Sequence, residues 1–170
     1  RLVYHCGADL YALDDPGRGG TRRLEIATAG SAPQRARRFV DAGEYLESAR
    51  LSPDGESLAL VTRGRMFTMD HWTGPVREQH AGRDGVRLRL PAWLADGGRL
   101  VAVAGDEQPD ERLLLLPADG GPALDGIGLG GIGCVIELAA SPAGDRIAFT
   151  TNRQQLWTVE VAAGLGEPLL

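Results

Sequence analysis

Short apolar runs, separated by turn formers, recur along the whole chain. Leu2-Val3-Tyr4, Leu58-Ala59-Leu60-Val61, Leu100-Val101-Ala102-Val103 and Ile147-Ala148-Phe149-Thr150 read as one set of strands. Asp9 to Asp14, Arg65 to Asp70, Arg112 to Pro117 and Gln155 to Glu160 read as a second set that follows them. Within that second set Tyr11, Phe67, Leu114 and Trp157 share one position, each preceded by an apolar residue, Leu10, Met66, Leu113 or Leu156. Successive residues of a strand point to opposite faces, so apolar groups at both positions predict sheets packed against neighbours on both sides. Turn-rich stretches come next, at Asp15 to Gly20, Trp72 to Pro75, Ala118 to Gly121 and Ala162 to Gly166. Short fourth strands are expected at Arg22 to Ile26, Val76 to Gln79 and Ala123-Leu124. The glycine-bearing stretch Asp125 to Gly133 reads as a loose connection before a strand at Val135 to Ala139.

A repeated phrase orders these units. Leu51-Ser52-Pro53-Asp54-Gly55-Glu56-Ser57-Leu58-Ala59 returns as Trp93-Leu94-Ala95-Asp96-Gly97-Gly98-Arg99-Leu100-Val101. It returns again as Ala140-Ser141-Pro142-Ala143-Gly144-Asp145-Arg146-Ile147-Ala148. The spacings are about 42 and about 47 residues, a period that predicts a stack of four-stranded antiparallel units, the blades of an all-β propeller. Four blade-like units of the WD40-like or PD40 type are expected. The first occupies residues 1–28; a linker at 29–44, lacking strand alternation, separates it from three more in 45–170.

The phrase has a local cause. Pro53 presets φ near about −65°, Asp54 accepts hydrogen bonds from nearby amides, and Gly55 takes the positive φ that closes a hairpin. The carboxylate is kept as Asp96 and gives way to Ala143, whereas the glycine persists as Gly97 and Gly144. Pro53, Asp54, Gly55, Asp96, Gly97, Pro142 and Gly144 are therefore read as turn devices rather than as a reactive site.

Composition fits this class. The 170 residues are 43% hydrophobic, enough for a core, while aromatics make up only 5% and Gly (24) and Pro (10) are plentiful. The net charge is −5, all 18 basic residues are Arg, and no basic stripe is interleaved with aromatics, so nucleic-acid binding is not expected. No apolar run approaches the roughly 18 residues of a membrane span. Cys6 and Cys134 lie in neither metal nor redox spacing and are expected to be buried free thiols.

Candidate chemistry is sparse. The glycine stretch at 126–133 lacks the Lys-Ser/Thr ending of a phosphate loop and no helical pattern follows it. His5, His71 and His80 fall on no shared repeat position and have no ligand-spaced partners, so neither a metal nor a cofactor is expected. Asp106-Glu107 with Asp110-Glu111 reads as a solvated hairpin tip. No Gly-x-Ser-x-Gly elbow occurs, and no catalytic residue is assigned. Arg35, Arg37 and Arg38 form a cluster able to capture an anionic group such as a peptide carboxylate, since guanidinium forks match carboxylates.

Several longer phrases resemble a known family. Tyr45 to Gly55, Arg63 to Met69 and Val86 to Trp93, with Tyr4 and Asp9-Leu10-Tyr11 before them, are similar to the propeller region of tricorn-type proteases. At Trp93-Leu94-Ala95-Asp96 and Pro142-Ala143 the chain departs from the Trp-Ser-Pro-Asp and Pro-Asp of the family's repeats. The resemblance implies that residues 1–28 end a first propeller and that 45–170 begin a second, leaving the ring incomplete. It also implies that PDZ-like and serine-peptidase modules lie C-terminal to this segment, that the chain handles oligopeptide substrates as a gate or channel without catalytic residues of its own, and that it is cytoplasmic. With uncovered blade faces, the chain alone is expected to oligomerise. The alternatives are a freestanding propeller that binds protein or peptide partners, and the propeller of a prolyl-oligopeptidase-like enzyme.

Overall fold

The computed structural model describes residues 1–6, 9–15, 17, 19–27, 39, 41, 43–80, 85–105 and 110–170, with Cys6 described by its backbone alone. Among these residues every regular element is a strand, the strands form four antiparallel sheets, and no helix is long and apolar enough to cross a membrane. The chain divides into two compact units, Arg1–Val40 and Asp41–Leu170.

The first unit holds β1 (Leu2–Cys6), β2 (Asp9–Asp15) and β3 (Gly19–Leu24) in the order β1-β2-β3. Tyr4 stands opposite Tyr11 in the β1–β2 register, and their rings stack with centroids 5.6 Å apart. Such cross-strand aromatic pairs add to sheet stability where little else is buried. Among the unit's described residues, Ala12 is the buried apolar side chain.

The second unit contains three sheets. The first runs β4 (Leu46–Leu51), β5 (Ser57–Thr62), β6 (Arg65–Asp70) and β7 (Arg77–Glu78). The second runs β8 (Arg87–Trp93), β9 (Arg99–Gly105), β10 (Arg112–Pro117) and β11 (Asp125–Gly128). The third holds β12 (Val135–Ala140), β13 (Arg146–Thr151) and β14 (Leu156–Glu160). Leu169 adds a short antiparallel bridge to Thr158 on β14, through bonds of 2.7 and 2.8 Å, in the place that β7 and β11 hold in their sheets. Each sheet is an up-and-down meander, and the described residues close no ring.

The period-2 pattern decides how the sheets stack. On β9, Leu100, Ala102 and Ala104 point into one core with Ala59, Val61 and Met66 of the first sheet, whereas Val101 and Val103 point into another with Ile147, Phe149 and Val159 of the third. On β10, Leu114 and Leu116 join the first core and Leu113 and Leu115 the second. The middle sheet is thus apolar on both faces, and each fully buried large side chain contributes on the order of 1.5–3 kcal/mol over its exposed state.

Two expectations need correction. The fourth strand of the middle sheet is not Ala123-Leu124 but Asp125–Gly128, within the stretch read as a loose connection. Gly126 is paired with Leu114 there, and a Cβ at Gly126 would meet Leu114 Cδ2 at 2.7 Å, so close strand approach explains the glycine. Cys134 is a free thiol but an exposed one, since it precedes β12 at the sheet edge.

Candidate functional site

The first strands of the three sheets, β4, β8 and β12, lie side by side, with β8 touching both others. Each carries a bulge: the register shifts between Leu46 and Ser48, between Arg89 and Ala92, and between Val135 and Glu137. Bulges interrupt the ladder and re-aim side chains. At the β8 bulge Leu90 adopts a left-handed backbone, φ 53°, ahead of Pro91. That conformation is costly for a branched residue, by about 1–3 kcal/mol, and persists only where its surroundings enforce it.

Over these strands opens a cleft of about 410 Å3. It is lined by Ser48 and Arg50 of β4, Leu90 and Pro91 of β8, Glu137, Leu138 and Ala139 of β12, Ala148, Phe149 and Thr150 of β13, and Leu156 of β14. The cleft is apolar with one cationic, one anionic and two hydroxyl side chains on its lining. It contains no arrangement of nucleophile and base, and among the described residues no three His, Cys, Asp or Glu side chains gather as a metal site.

Polar clips tie neighbouring segments of the second unit together. Trp93 Nε1 donates to the Arg50 carbonyl at 2.9 Å, tying β8 to β4. The Glu111 carboxylate accepts the Val135 amide at 2.7 Å and pairs with Arg89, tying β8 to the start of β12. Asp125 on β11 accepts the amide of Leu165 at 2.7 Å and that of Gly126 at 2.8 Å, and these bonds lower its pKa from the usual 3.8. Thr68 Oγ1 donates to the Ala118 carbonyl at 2.7 Å, joining the first two sheets. Glu111 therefore is not part of a solvated tip. Sequence reasoning missed its role because its partners lie on two other strands.

The repeated phrase occupies the three turns between first and second strands. Gly55, Gly97 and Gly144 have φ of 76°, 63° and 75°. Each glycine amide donates to the carbonyl three residues back, in Ser52, Leu94 and Ser141, at 2.9, 3.0 and 2.9 Å. In the first turn, after Pro53, Asp54 accepts from Ser52 Oγ at 2.6 Å and from the Glu56 amide at 3.0 Å, and these bonds lower its pKa. In the second, partial burial works against ionisation of Asp96, but the Arg99 side chain and the Gly98 and Arg99 amides outweigh it and the pKa is lowered. In the third, after Pro142, the carboxylate is supplied by Asp145, which accepts from Ser141 Oγ at 2.6 Å. None of these residues lines the cleft. Arg35, Arg37 and Arg38 lie outside the described residues.

No protein-family profile matches the chain. Individual proteins do. Over 165 residues it is 35% identical to tricorn protease homologue 2 of Streptomyces coelicolor, covering 95% of this chain and 14% of that protein. Tricorn protease homologue 1 of the same organism is 31% identical over 168 residues, covering 96% of this chain and 16% of that protein. The chain is of the tricorn type. This tricorn-type segment thus spans only 14–16% of the length of these two curated relatives. Among solved structures, the Cps50 β-propeller domain of Myceliophteria thermophila superposes with a TM-score of 0.57 at 14% identity, over 92% of this chain and 46% of that one. That likeness establishes the propeller fold of the tricorn-type segment, and the four sheets are its blades.

Proposed function

We propose that this chain is the non-catalytic propeller portion of a tricorn-like serine protease and that it gates or channels oligopeptides on their way to or from a peptidase module. The observation that carries the reading is the cleft over β4, β8 and β12. Residues from the first strands of three successive blades, in a chain of tricorn type, meet around one cleft of about 410 Å3. In a closed propeller the corresponding strands surround a central passage. On this reading the partners are the remaining blades and the PDZ-like and peptidase modules of the same cytoplasmic protein. Peptide bonds are cleaved elsewhere, since the cleft pairs no nucleophile with a base.

The reading is tested in the full-length protein by narrowing the opening. Ala139 on β12 lines the cleft, so Ala139→Trp adds bulk there. Hydrolysis of a long oligopeptide is expected to slow about tenfold, equivalent to about 1.4 kcal/mol of added barrier, while a dipeptide substrate is cleaved at the original rate. Equal rates for long and short substrates in both proteins would overturn gating. Turnover by the purified chain alone would overturn its non-catalytic role.

A further inference from the structure

Among the described residues of the second unit, Trp72 is the most exposed large hydrophobic side chain, at 94%. It stands in the turn between β6 and β7 and lines no part of the cleft. His71, Pro75 and Val76 beside it are exposed as well, so an apolar patch projects from the end of the first sheet. The turn beneath it is fixed. The Asp70 carboxylate accepts Ser57 Oγ at 2.8 Å and pairs with Arg77 at 3.9 Å, and the His71 amide donates to the Glu56 carbonyl at 3.0 Å. Gly74, with φ 124°, lies so close to Asp70 that a Cβ would meet its Oδ2 at 2.7 Å. A large side chain presented on a rigid turn loses little conformational freedom when a partner covers it.

An open ring does not account for this exposure. The amides of Ala118 and Val161 donate to the carbonyls of Gly98 and Asp145 as that of His71 does to Glu56, so Trp72 corresponds to Asp119 and Ala162 in the next two blades. Both of those turns have a preceding blade against them. Thr68 Oγ1 donates to the Ala118 carbonyl at 2.7 Å, and Arg99 Nη1 to that of Ala162 at 3.0 Å. Asp119 and Ala162 are nevertheless exposed. A blade set against the first sheet in the same way therefore leaves this position in solvent.

The charge around Trp72 selects what covers it. Glu56 is joined to His71 through its carbonyl, and the turn of Asp119 lies against β7, where a Cβ at Gly120 would meet Arg77 Cβ at 3.1 Å. Among the described residues neither the Glu56 nor the Asp119 carboxylate forms a hydrogen bond or an ion pair, whereas Arg77 is already paired with Asp70. An anionic partner is repelled here. A guanidinium or ammonium is drawn by the two carboxylates and stacks on an indole face. The chain has its own instance of such stacking, with the Arg63 guanidinium 5.1 Å from the centroid of the Tyr45 ring. The segment spans only 14–16% of the length of its two Streptomyces relatives, and a covalently linked partner acts at high effective concentration. We propose that Trp72, with Pro75 and Val76, is an intramolecular docking site for a segment of the rest of the protein that carries Arg or Lys beside an apolar residue. The cation lies on the indole near Glu56 and Asp119. The inference rests on membership of a longer tricorn-type protein and not on gating, so the cleavage rates of Ala139→Trp bear on neither of its outcomes.

The test is thiol labelling of the full-length protein. Thr73→Cys places a thiol beside the intact Trp72, at an exposed residue whose side chain makes no hydrogen bond among the described residues. Its modification by a maleimide is followed by peptide mass spectrometry and compared with the same thiol in urea-unfolded protein. Labelling of the native protein is expected to be at least about tenfold slower, and adding Trp72→Ser is expected to remove most of that protection, as loss of a buried tryptophan anchor implies. Raising the ionic strength from about 0.05 M to about 0.5 M speeds labelling, because the charges that hold the partner are screened. Hydrogen exchange gives a reading without any substitution. The Trp72, Thr73 and Gly74 amides donate to no group among the described residues, so their exchange in the unaltered protein is expected to be slow at low salt and to quicken at high salt. Labelling of Thr73→Cys at the unfolded rate, protection that neither salt nor Trp72→Ser alters, or unprotected exchange of these amides at both salts overturns the proposal.

Discussion

The carboxylate of Glu111, at the start of β10's hairpin, accepts the backbone amide of Val135 at 2.7 Å, across the boundary between two blades. Its other oxygen pairs with Arg89. One side chain thus joins three strands, and it is only 17% exposed. Hydrogen bonds to charged groups contribute about 1.5–3 kcal/mol each, so Glu111→Ala is expected to lower stability by about 3 kcal/mol, and Glu111→Gln, which keeps one acceptor, by about half that. Urea unfolding of the two variants checks both values. Equal losses would mean that the negative charge, rather than the acceptor, holds the blades.

Gly64 is expected to tolerate no side chain. Its φ is 75°, and a Cβ there would meet Arg87 Nε at 2.7 Å and Cγ at 3.1 Å. The Gly64 carbonyl accepts the Leu88 amide at 2.8 Å, so any shift of the turn loosens the first two blades of the second unit from each other. Gly64→Ala should cost about 1–2 kcal/mol from the left-handed backbone alone, plus the clash. Adding Arg87→Ala removes the clash but not the backbone term, and a double-mutant cycle in thermal unfolding separates them.

Acid should open the contact between β11 and the turn at 162–166. The Asp125 pKa is lowered from 3.8 by the amides of Leu165 and Gly126, so folding favours its ionised form. That stabilisation is fully present above the unfolded value near 3.8 and is lost as pH falls through the lower folded value. Asp125→Asn should therefore destabilise the protein at pH 7 and matter progressively less below pH about 4, as first the unfolded chain's carboxyl and then, at lower pH, the folded one takes up a proton. Unfolding midpoints of both proteins from pH 7 to pH 2 provide the comparison; a constant difference across that range would exclude the carboxylate as the clip.

Much of this architecture can be read without coordinates. The Leu100-Val101-Ala102-Val103 alternation is the local signature of a strand buried on both faces, and β9 is such a strand. What resisted reading was structure set by distant partners. Gly126 and Gly128 gave β11 no apolar pattern, because Gly126 is required by close approach to Leu114 rather than by any core. The cleft was equally hidden, since Arg50, Leu90 and Glu137 belong to three different repeats and meet only when the first strands lie side by side. Bulges such as that at Leu90 depend on ladder register, which a single sequence does not state.

Apolar side chains left outside the two cores should drive self-association of the isolated chain. Leu51 on β4 and Leu156 on β14 are 57% and 60% exposed, on the first and last of the three stacked sheets. Exposed sheet faces and edges of this kind are association sites. Light scattering at micromolar concentration is expected to report oligomers for the chain and a shift toward monomer for the double variant Leu51→Asp, Leu156→Asp. A monodisperse, stable monomer of the unaltered chain would mean that these faces need no cover.

The third turn, in which Asp145 does for Ser141 what Asp54 does for Ser52, has a consequence for tracing descent among blades. The acidic residue has moved from two places after the serine to four, while the bond it receives keeps the same length of 2.6 Å. A column-by-column alignment scores that change as a loss at one site and an unrelated acid at another. Selection on such a hairpin acts on a hydrogen-bond geometry that more than one spelling can satisfy, so blades can drift apart in letters while remaining interchangeable in shape.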